Sequence, residues 1–187
     1  SSYGELQENA RFAMSILTED LLRYNYWGDY TGSLTFGSLD SVPTVANDVV
    51  ECIGGGGNNG SYPNNVGYFR TLWGETASNL GATLGATDMS CIDDAAPNSD
   101  VIQLKRVISN PVVGISDNFS YFVGNMNHGA IYKRPLGAAA VPVINNSRTW
   151  QYQHHIYYVR SGLPVLMKWR LTGQMINEPM VDGIERI

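Results

Sequence analysis

A long amphipathic stretch at the start of the chain constrains the fold most, because a helix with one apolar face needs a surface to cover it. No Gly or Pro interrupts the run from Glu5 to Arg23, so local preference agrees with a helix. Only four residues precede the run and no clear capping box introduces it, so we expect a helix cut in the middle; an ordinary N-terminal helix is the alternative. The apolar residues recur at the three- and four-residue steps of one helix face: Leu6, Ala10, Ala13, Met14, Leu17 and Leu21, widened by Phe12, Ile16 and Leu22.

The clearest β-strand signal lies near the other end of the chain. Side chains alternate between apolar and polar from Thr149 to Val159 and again from Leu163 to Leu171, and the short Arg160-Ser161-Gly162 segment joins the two stretches. This pattern predicts a β-hairpin. His154 and His155 are neighbours in its first strand, so we expect them on opposite faces, which argues against a shared metal ion. The side chains expected to share one face of that strand are Trp150, Tyr152, His154, Ile156 and Tyr158.

The middle of the chain carries weaker signals. Four consecutive glycines open the stretch from Gly54 to Asn65, which predicts a mobile loop that buries almost nothing. The aromatic stretch from Tyr68 to Asn79 favours a short helix, with a strand as the alternative. Lys105 is expected to face the opposite way from Leu104 on a strand. The remaining predicted strands are Ser33–Leu39, Asp48–Ile53, Asp100–Ser109, Phe119–Val123 and Ala130–Arg134.

The composition argues against several classes of function. Hydrophobic residues make up 43% and charged residues 16% of the chain, which suits an extracytoplasmic, β-rich protein. A net charge of -5 argues against capture of nucleic acid or anionic lipid, which needs clustered Lys and Arg. No Gly-x-Ser-x-Gly turn is present, the glycine run lacks the Lys of a nucleotide-binding loop, and the acidic residues do not follow a calcium-loop pattern. We therefore expect no catalytic residue, no metal and no cofactor. A solvated acidic loop is favoured over a calcium site for four aspartates, Asp88, Asp93, Asp94 and Asp100.

The chain contains two cysteines, Cys52 and Cys91. In an oxidising compartment they would pair, and closing a loop of this length stabilises a fold by about 4 kcal/mol on the loop-entropy estimate. Neither cysteine has the neighbouring ligands of a zinc site. We expect a disulfide, with two buried free thiols as the alternative.

Residues at both ends of the chain resemble one known family. The segment Leu6-Gln7-Glu8-Asn9-Ala10-Arg11-Phe12-Ala13, followed by Leu21-Leu22-Arg23 and Tyr26-Trp27-Gly28, looks like the exposed half of the long N-terminal helix in PilW-type minor pilins of type IV pili. The segment from Glu178 to Glu185 is similar to the closing strands of these pilins and of the J-type proteins of type II secretion. Trp150, Tyr157-Tyr158-Val159 and the stretch from Pro164 to Arg170 extend this similarity.

The resemblance implies a pilin-like α+β fold, in which an N-terminal α-helix packs on an antiparallel β-sheet. Residues 1–187 would form one globular domain, with a truncated helix over 1–26 and a β-rich head over 27–187. Family members carry an upstream apolar segment of about 20 residues, enough to span a bilayer, and the membrane half of the helix is absent here. The implied native protein is anchored in the inner membrane with a periplasmic head before assembly, and lies at the extracellular pilus tip afterwards.

The implied function is that of a structural subunit that promotes pilus assembly from the tip, through protein association rather than catalysis. Its partners would be other minor pilins and, below the tip, the major pilin; a link to a tip adhesin is also compatible with this role. The candidate contact residues are exposed helix positions and the aromatic turn that follows them: Gln7, Asn9, Arg11, Ser15, Tyr24, Tyr26 and Trp27. For Trp27 a core position is the alternative.

Three alternatives remain open from the sequence. A type II secretion pseudopilin of the J type would share the fold and the tip position. An extracellular carbohydrate-binding module would use Trp73, Trp150 and Trp169 as stacking platforms. A hydrolase with dispersed catalytic groups is the third.

Overall fold

A computed structural model describes residues 2–64, 67–78, 87–116, 118–133 and 141–187. Within these ranges the chain forms one helix and one antiparallel sheet, so the expected α+β class is confirmed. The helix is α1 (Tyr3–Leu21), and the strands are β1 (Leu72–Thr76), β2 (Asp100–Val107), β3 (Ser120–Gly124), β4 (Gly129–Lys133), β5 (Arg148–Arg160), β6 (Val165–Leu171) and β7 (Met175–Asp182).

The long strand β5 organises the sheet, because it pairs with three other strands. Its first part pairs with β3, its middle with β2 and its last part with β6. β1 continues the sheet beyond β2, β4 beyond β3, and β7 beyond β6. The predicted hairpin of alternating strands is confirmed as β5 and β6.

Different parts of the chain cover the two faces of the sheet. Helix α1 covers one face, where Ala13 and Leu17 pack against Leu104, Tyr157 and Leu166. The irregular segments before β2 cover the other face and bury the predicted row of β5 side chains. The central part of the sheet is therefore buried on both sides. The covering residues on this second side include Trp27, Tyr30, Leu34, Tyr62, Phe69, Cys52, Met89 and Ile92.

Several local predictions in the first half of the chain are wrong. The stretches Ser33–Leu39 and Asp48–Ile53 form turns and irregular backbone instead of strands. The stretch predicted as a short helix contains the strand β1, because Leu72 to Thr76 pairs with the edge of β2 and this pairing outweighs a weak local preference. Residue 79 and residue 134, each at the end of a predicted element, lie outside the described residues.

The glycine-rich stretch is irregular as predicted over residues 54–64, and residue 65 lies outside the described residues, but the expectation that the stretch buries almost nothing is wrong. Asn59, Ser61 and Tyr62 are among the buried residues of the protein. Gly56 and Gly57 have positive φ angles of 83° and 73°, a conformation that glycine adopts without strain. These glycines let the backbone turn sharply, so that the residues after them enter the interior.

The start of the helix also differs from the prediction. Ser2 is the N-cap, and its side-chain oxygen accepts a hydrogen bond from the backbone nitrogen of Glu5 at 3.3 Å. A side-chain oxygen in this position satisfies one of the free donors of the first helical turn. The helix therefore has an N-cap, which was not predicted from the sequence.

Cys52 and Cys91 form a disulfide, in agreement with the expectation from sequence. Their Cα atoms lie 4.9 Å apart, within the normal range for the bond. Cys52 is fully buried and belongs to an apolar cluster with Met89, Ile92 and Tyr158. The disulfide thus links two irregular segments that cover the same side of the sheet.

Candidate interaction surface of the helix

Helix α1 exposes more apolar side chain than its periodicity predicts. Its buried residues are Ala13, Leu17 and Asp20, all in its second half. Phe12 is 55% exposed and Met14 is 64% exposed, although both belong to the predicted apolar face. The sheet therefore covers only a narrow stripe of the helix, and apolar side chains remain open to solvent on either side of that stripe.

Three of the predicted contact residues lie together on the outer side of the helix. Gln7, Arg11 and Ser15 are exposed and follow one another at four-residue intervals, and Leu22 continues the same row seven residues later. Residues spaced in this way are neighbours on a helix surface. We call Gln7, Arg11, Ser15 and Leu22 the helix row.

The other predicted contact residues divide into two groups. Asn9 faces the sheet, because its side-chain amide donates a hydrogen bond to the backbone carbonyl of Asp182 at 3.1 Å. Trp27 is 6% exposed and stacks on Tyr152 with ring centroids 5.7 Å apart, which matches the alternative of a core position. The Trp27 ring therefore belongs to the core, and the Asn9 amide is engaged with the sheet. Tyr24 and Tyr26 are partly exposed beside the end of the helix.

A buried carboxylate fixes the helix on the sheet. Asp20 accepts hydrogen bonds from Arg106 Nε at 2.8 Å, from His155 Nδ1 at 2.5 Å and from the Tyr157 hydroxyl at 2.7 Å. All three donors come from β2 and β5, so the network ties the last turn of the helix to two adjacent strands. This network was not predicted from the sequence.

The charges in this network follow from its hydrogen bonds. Burial raises the pKa of Asp20, but the hydrogen bonds from His155, Tyr157 and Arg106 outweigh burial and hold the pKa well below its usual range. Burial lowers the pKa of His155 more strongly than the Asp20 carboxylate raises it. Asp20 is therefore an anion at neutral pH, and His155 is a neutral ring that donates through Nδ1.

His154 faces the opposite side of the sheet, as predicted, and belongs to a second buried network. Its Nδ1 lies 3.0 Å from the Ser61 hydroxyl, and its Nε2 lies 2.8 Å from Gln103 Oε1. A serine beside a histidine is the beginning of a nucleophilic site, but Ser61, His154 and Gln103 are all buried. A substrate cannot reach these side chains, so the contact fastens the glycine-rich stretch to the sheet.

Acid sensitivity follows from the burial of His154. Burial lowers the pKa of His154 well below its ordinary value, whereas a histidine in the unfolded chain titrates near about 6.5. Below that pH the unfolded state binds more protons, so the contribution of His154 to stability is complete above about pH 6.5 and is expected to fall by about 1.4 kcal/mol per pH unit below it. The lowered pKa of His155 acts in the same direction. Denaturant unfolding measured from pH 7 to pH 4.5 checks this slope.

Two variants distinguish the contribution of the buried His154 from that of the exposed His128. His154→Gln removes one of the two buried titrating rings and is expected to reduce the slope while leaving the contribution of His155, whereas His128→Gln replaces an exposed ring and serves as the control. The lowered pKa of Asp20 gives a second loss of stability only at lower pH, as that carboxylate protonates. An unchanged slope in His154→Gln would contradict the assignment.

The remaining candidate sites do not assemble in the structure. Asp100 accepts a hydrogen bond from the Thr76 hydroxyl at 2.6 Å, and the described residues contain no cluster of three His, Cys, Asp or Glu side chains suited to a metal. Trp150 is buried, and Trp73 and Trp169 are half-buried. The three tryptophans weighed as sugar-stacking platforms thus form no exposed flat surface.

Comparison with known proteins gives no identification. No protein-family model, no curated protein and no solved structure matches the chain at a significant level. Among the described residues, no helix has the length and apolar character needed to cross a bilayer. The helix row, with Phe12 and Met14 beside it, is an exposed surface of mixed polar and apolar side chains.

Proposed function

We propose that this chain is the globular head of a PilW-type minor pilin, a structural subunit that promotes assembly of a type IV pilus from its tip. Before assembly the native protein would be held in the inner membrane with its head in the periplasm, and afterwards it would lie at the extracellular tip. Its partners would be other minor pilins, the major pilin below them and a tip adhesin. Its role is association, without a catalytic step.

Three features support this proposal. The segments at both ends of the chain resemble the pilin family, and the described chain has the class of fold that the resemblance implies, one helix on an antiparallel sheet. The third feature carries the proposal furthest: Phe12 and Met14 flank a row of polar residues on the side of the helix away from the sheet. Exposed apolar side chains on both flanks of a helix are available to be buried by another protein.

The geometry suggests how such a subunit would recognise its neighbours. The Asp20 network fixes the rotation of the helix, so the direction in which the helix row points is set by the sheet. Gln7 and Arg11 offer hydrogen-bond donors, while Phe12 and Met14 offer apolar area on either side of the helix row. A partner helix lying along this side would bury Gln7 and Arg11 and would contact Phe12 or Met14 at its edge.

The proposal is tested in cells by deleting the gene in its native host and restoring the full-length protein. We expect the deletion to abolish or sharply reduce surface pili, and the wild-type protein to restore them. The double substitution Phe12→Ala and Met14→Ala is expected to lower co-purification with the other minor pilins by about tenfold, since loss of apolar contacts at an interface commonly has such an effect. Pilus counts and quantitative co-purification provide the readout.

A matched control uses an exposed apolar residue elsewhere. Leu163 is 77% exposed in the turn between β5 and β6, so Leu163→Ala is expected to change neither piliation nor co-purification. The thermal midpoint of every variant should stay close to the wild type, because exposed side chains contribute little to folding. Normal piliation in the deletion strain, with loss of protein secretion, would indicate a J-type pseudopilin instead. Normal piliation and normal secretion together would contradict the proposal.

A further inference from the structure

A lysine lies in the interior of the protein, on the side of the sheet away from the helix. Lys105 belongs to β2 and has no exposed surface. Its Nζ lies 4.1 Å from the centre of the Phe69 ring and 3.4 Å from the side-chain oxygen of Asn59. Buried lysines are normally held by a carboxylate, yet Lys105 forms no ion pair with any carboxylate in the described ranges. Burial therefore lowers the pKa of this amine well below its usual value.

The amide that faces Lys105 is held in one orientation. Asn59 is 1% exposed; its oxygen accepts a hydrogen bond from Gln103 Nε2, and its nitrogen donates to the backbone carbonyl of Gly55 at 2.9 Å. Gln103 is positioned in turn by His154, 2.8 Å away. A donor on the amide oxygen draws electron density from the carbonyl carbon and would stabilise negative charge on that oxygen.

We propose that Lys105 and Asn59 form an intramolecular isopeptide bond. The neutral amine of Lys105 attacks the side-chain carbonyl carbon of Asn59, and the Gln103 amide stabilises the charge that develops on the oxygen. The new bond joins Lys105 Nζ to Asn59 Cγ, the bond from Cγ to Nδ2 breaks, and the amide nitrogen leaves as ammonia. The proton lost by Nζ ends on the departing ammonia, so no oxidant, reductant or further reactant is required.

In this proposal the carboxylate of Glu51 carries that proton. Glu51 acts electrostatically on the Lys105 amine, and its own oxygens are held by the backbone nitrogen of Cys52 at 2.7 Å and the hydroxyl of Ser61 at 2.8 Å. Two groups brought together by a fold react far faster than the same groups free in water. The bond would fasten the glycine-rich stretch to β2 covalently, and it does not depend on the proposed role in a pilus.

Mass spectrometry of the intact, denatured and reduced wild-type protein tests the proposal. We expect the main species to be lighter than the sequence mass by one molecule of ammonia. Because Asn59 precedes Gly60, a succinimide at this position would cause the same loss, so the mass alone is not sufficient. Peptide mapping distinguishes the two products.

The disulfide joins the same two tryptic peptides as the proposed bond, so the map is made after reduction and alkylation. Without the bond, trypsin releases residues 24–70 and 71–105 as separate peptides. With the bond, Lys105 resists cleavage, and residues 24–70 and 71–106 remain together as one branched peptide. Fragmentation should locate the branch at Asn59 and Lys105.

Variants assign the reacting groups. Lys105→Met and Glu51→Gln are each expected to abolish the branched peptide and restore the full mass, whereas Lys133→Met should retain both signals. The wild-type map is decisive even where a variant folds poorly. Free Lys105 in the denatured wild-type protein, cleavable by trypsin, would overturn the proposal, and so would a succinimide at Asn59 without a branched peptide.

Discussion

Asp20→Ala is expected to lower the free energy of unfolding by about 3–5 kcal/mol, because removing one partner of a buried charge network leaves the others without compensation. The substitution strands the Arg106 guanidinium, which is almost completely buried, and also removes the acceptor for His155 and Tyr157. The helix would keep its apolar contacts through Ala13 and Leu17 but lose the bonds that fix its last turn. Urea denaturation followed by tryptophan fluorescence measures the change.

The neighbouring Glu19 provides a matched control in the same helical turn. It forms an exposed ion pair with Arg23 at 2.8 Å, an arrangement that contributes little to stability. Glu19→Ala should therefore unfold at nearly the same urea concentration as the wild type. A similar small change in Asp20→Ala would mean that the buried network does not anchor the helix.

The double variant Cys52→Ser and Cys91→Ser is expected to lose about 4 kcal/mol, because the unfolded chain regains the conformations that the cross-link forbids. The bond closes a loop between residues 39 positions apart and lies in a buried cluster beneath β5. Thermal and chemical unfolding of the variant, compared with the oxidised and reduced wild type, provides the measurement.

The reduced wild type serves as the control for the serine side chains. Reduction without substitution should give nearly the same loss, since both treatments open the same loop. The proposed bond between Asn59 and Lys105 would shorten that loop, but the entropy depends only on the logarithm of loop length, so the expected loss falls by only about 0.5 kcal/mol. A loss well below 2 kcal/mol in both experiments would contradict the prediction.

The regular parts of the fold were predictable because their patterns are local. Alternation from Thr149 to Leu171 repeats with the period of a strand, and the run after Glu5 repeats with the period of a helix. The burial of Lys105 was not predictable in this way. It depends on Phe69 and on the glycine-rich stretch, which lie far away in the sequence and cover the sheet only in the folded protein.

The exposed side of the helix was predicted only in part, although the spacing of the residues that face the sheet could have shown more of it. Asn9 lies four residues before Ala13, which in turn lies four residues before Leu17, so these three share the side that faces the sheet. Asp20 lies on the same side, and a carboxylate on the buried side of a helix requires hydrogen-bond donors from the sheet. The exposure of Phe12 and Met14 depends instead on how narrow a stripe the sheet covers, which no helical period encodes.

Helix α1 packs against β6 and β7, which lie far from it in the sequence, and this order affects how the chain can fold during translation. Helix α1 leaves the ribosome before β6 and β7, whose Leu166 and Val181 cover its buried stripe. Until β6 and β7 emerge, the apolar stripe has no partner and the carboxylate of Asp20 remains in water. The growing chain would therefore depend on chaperones or on a membrane surface to shield the helix until these two strands have been synthesised.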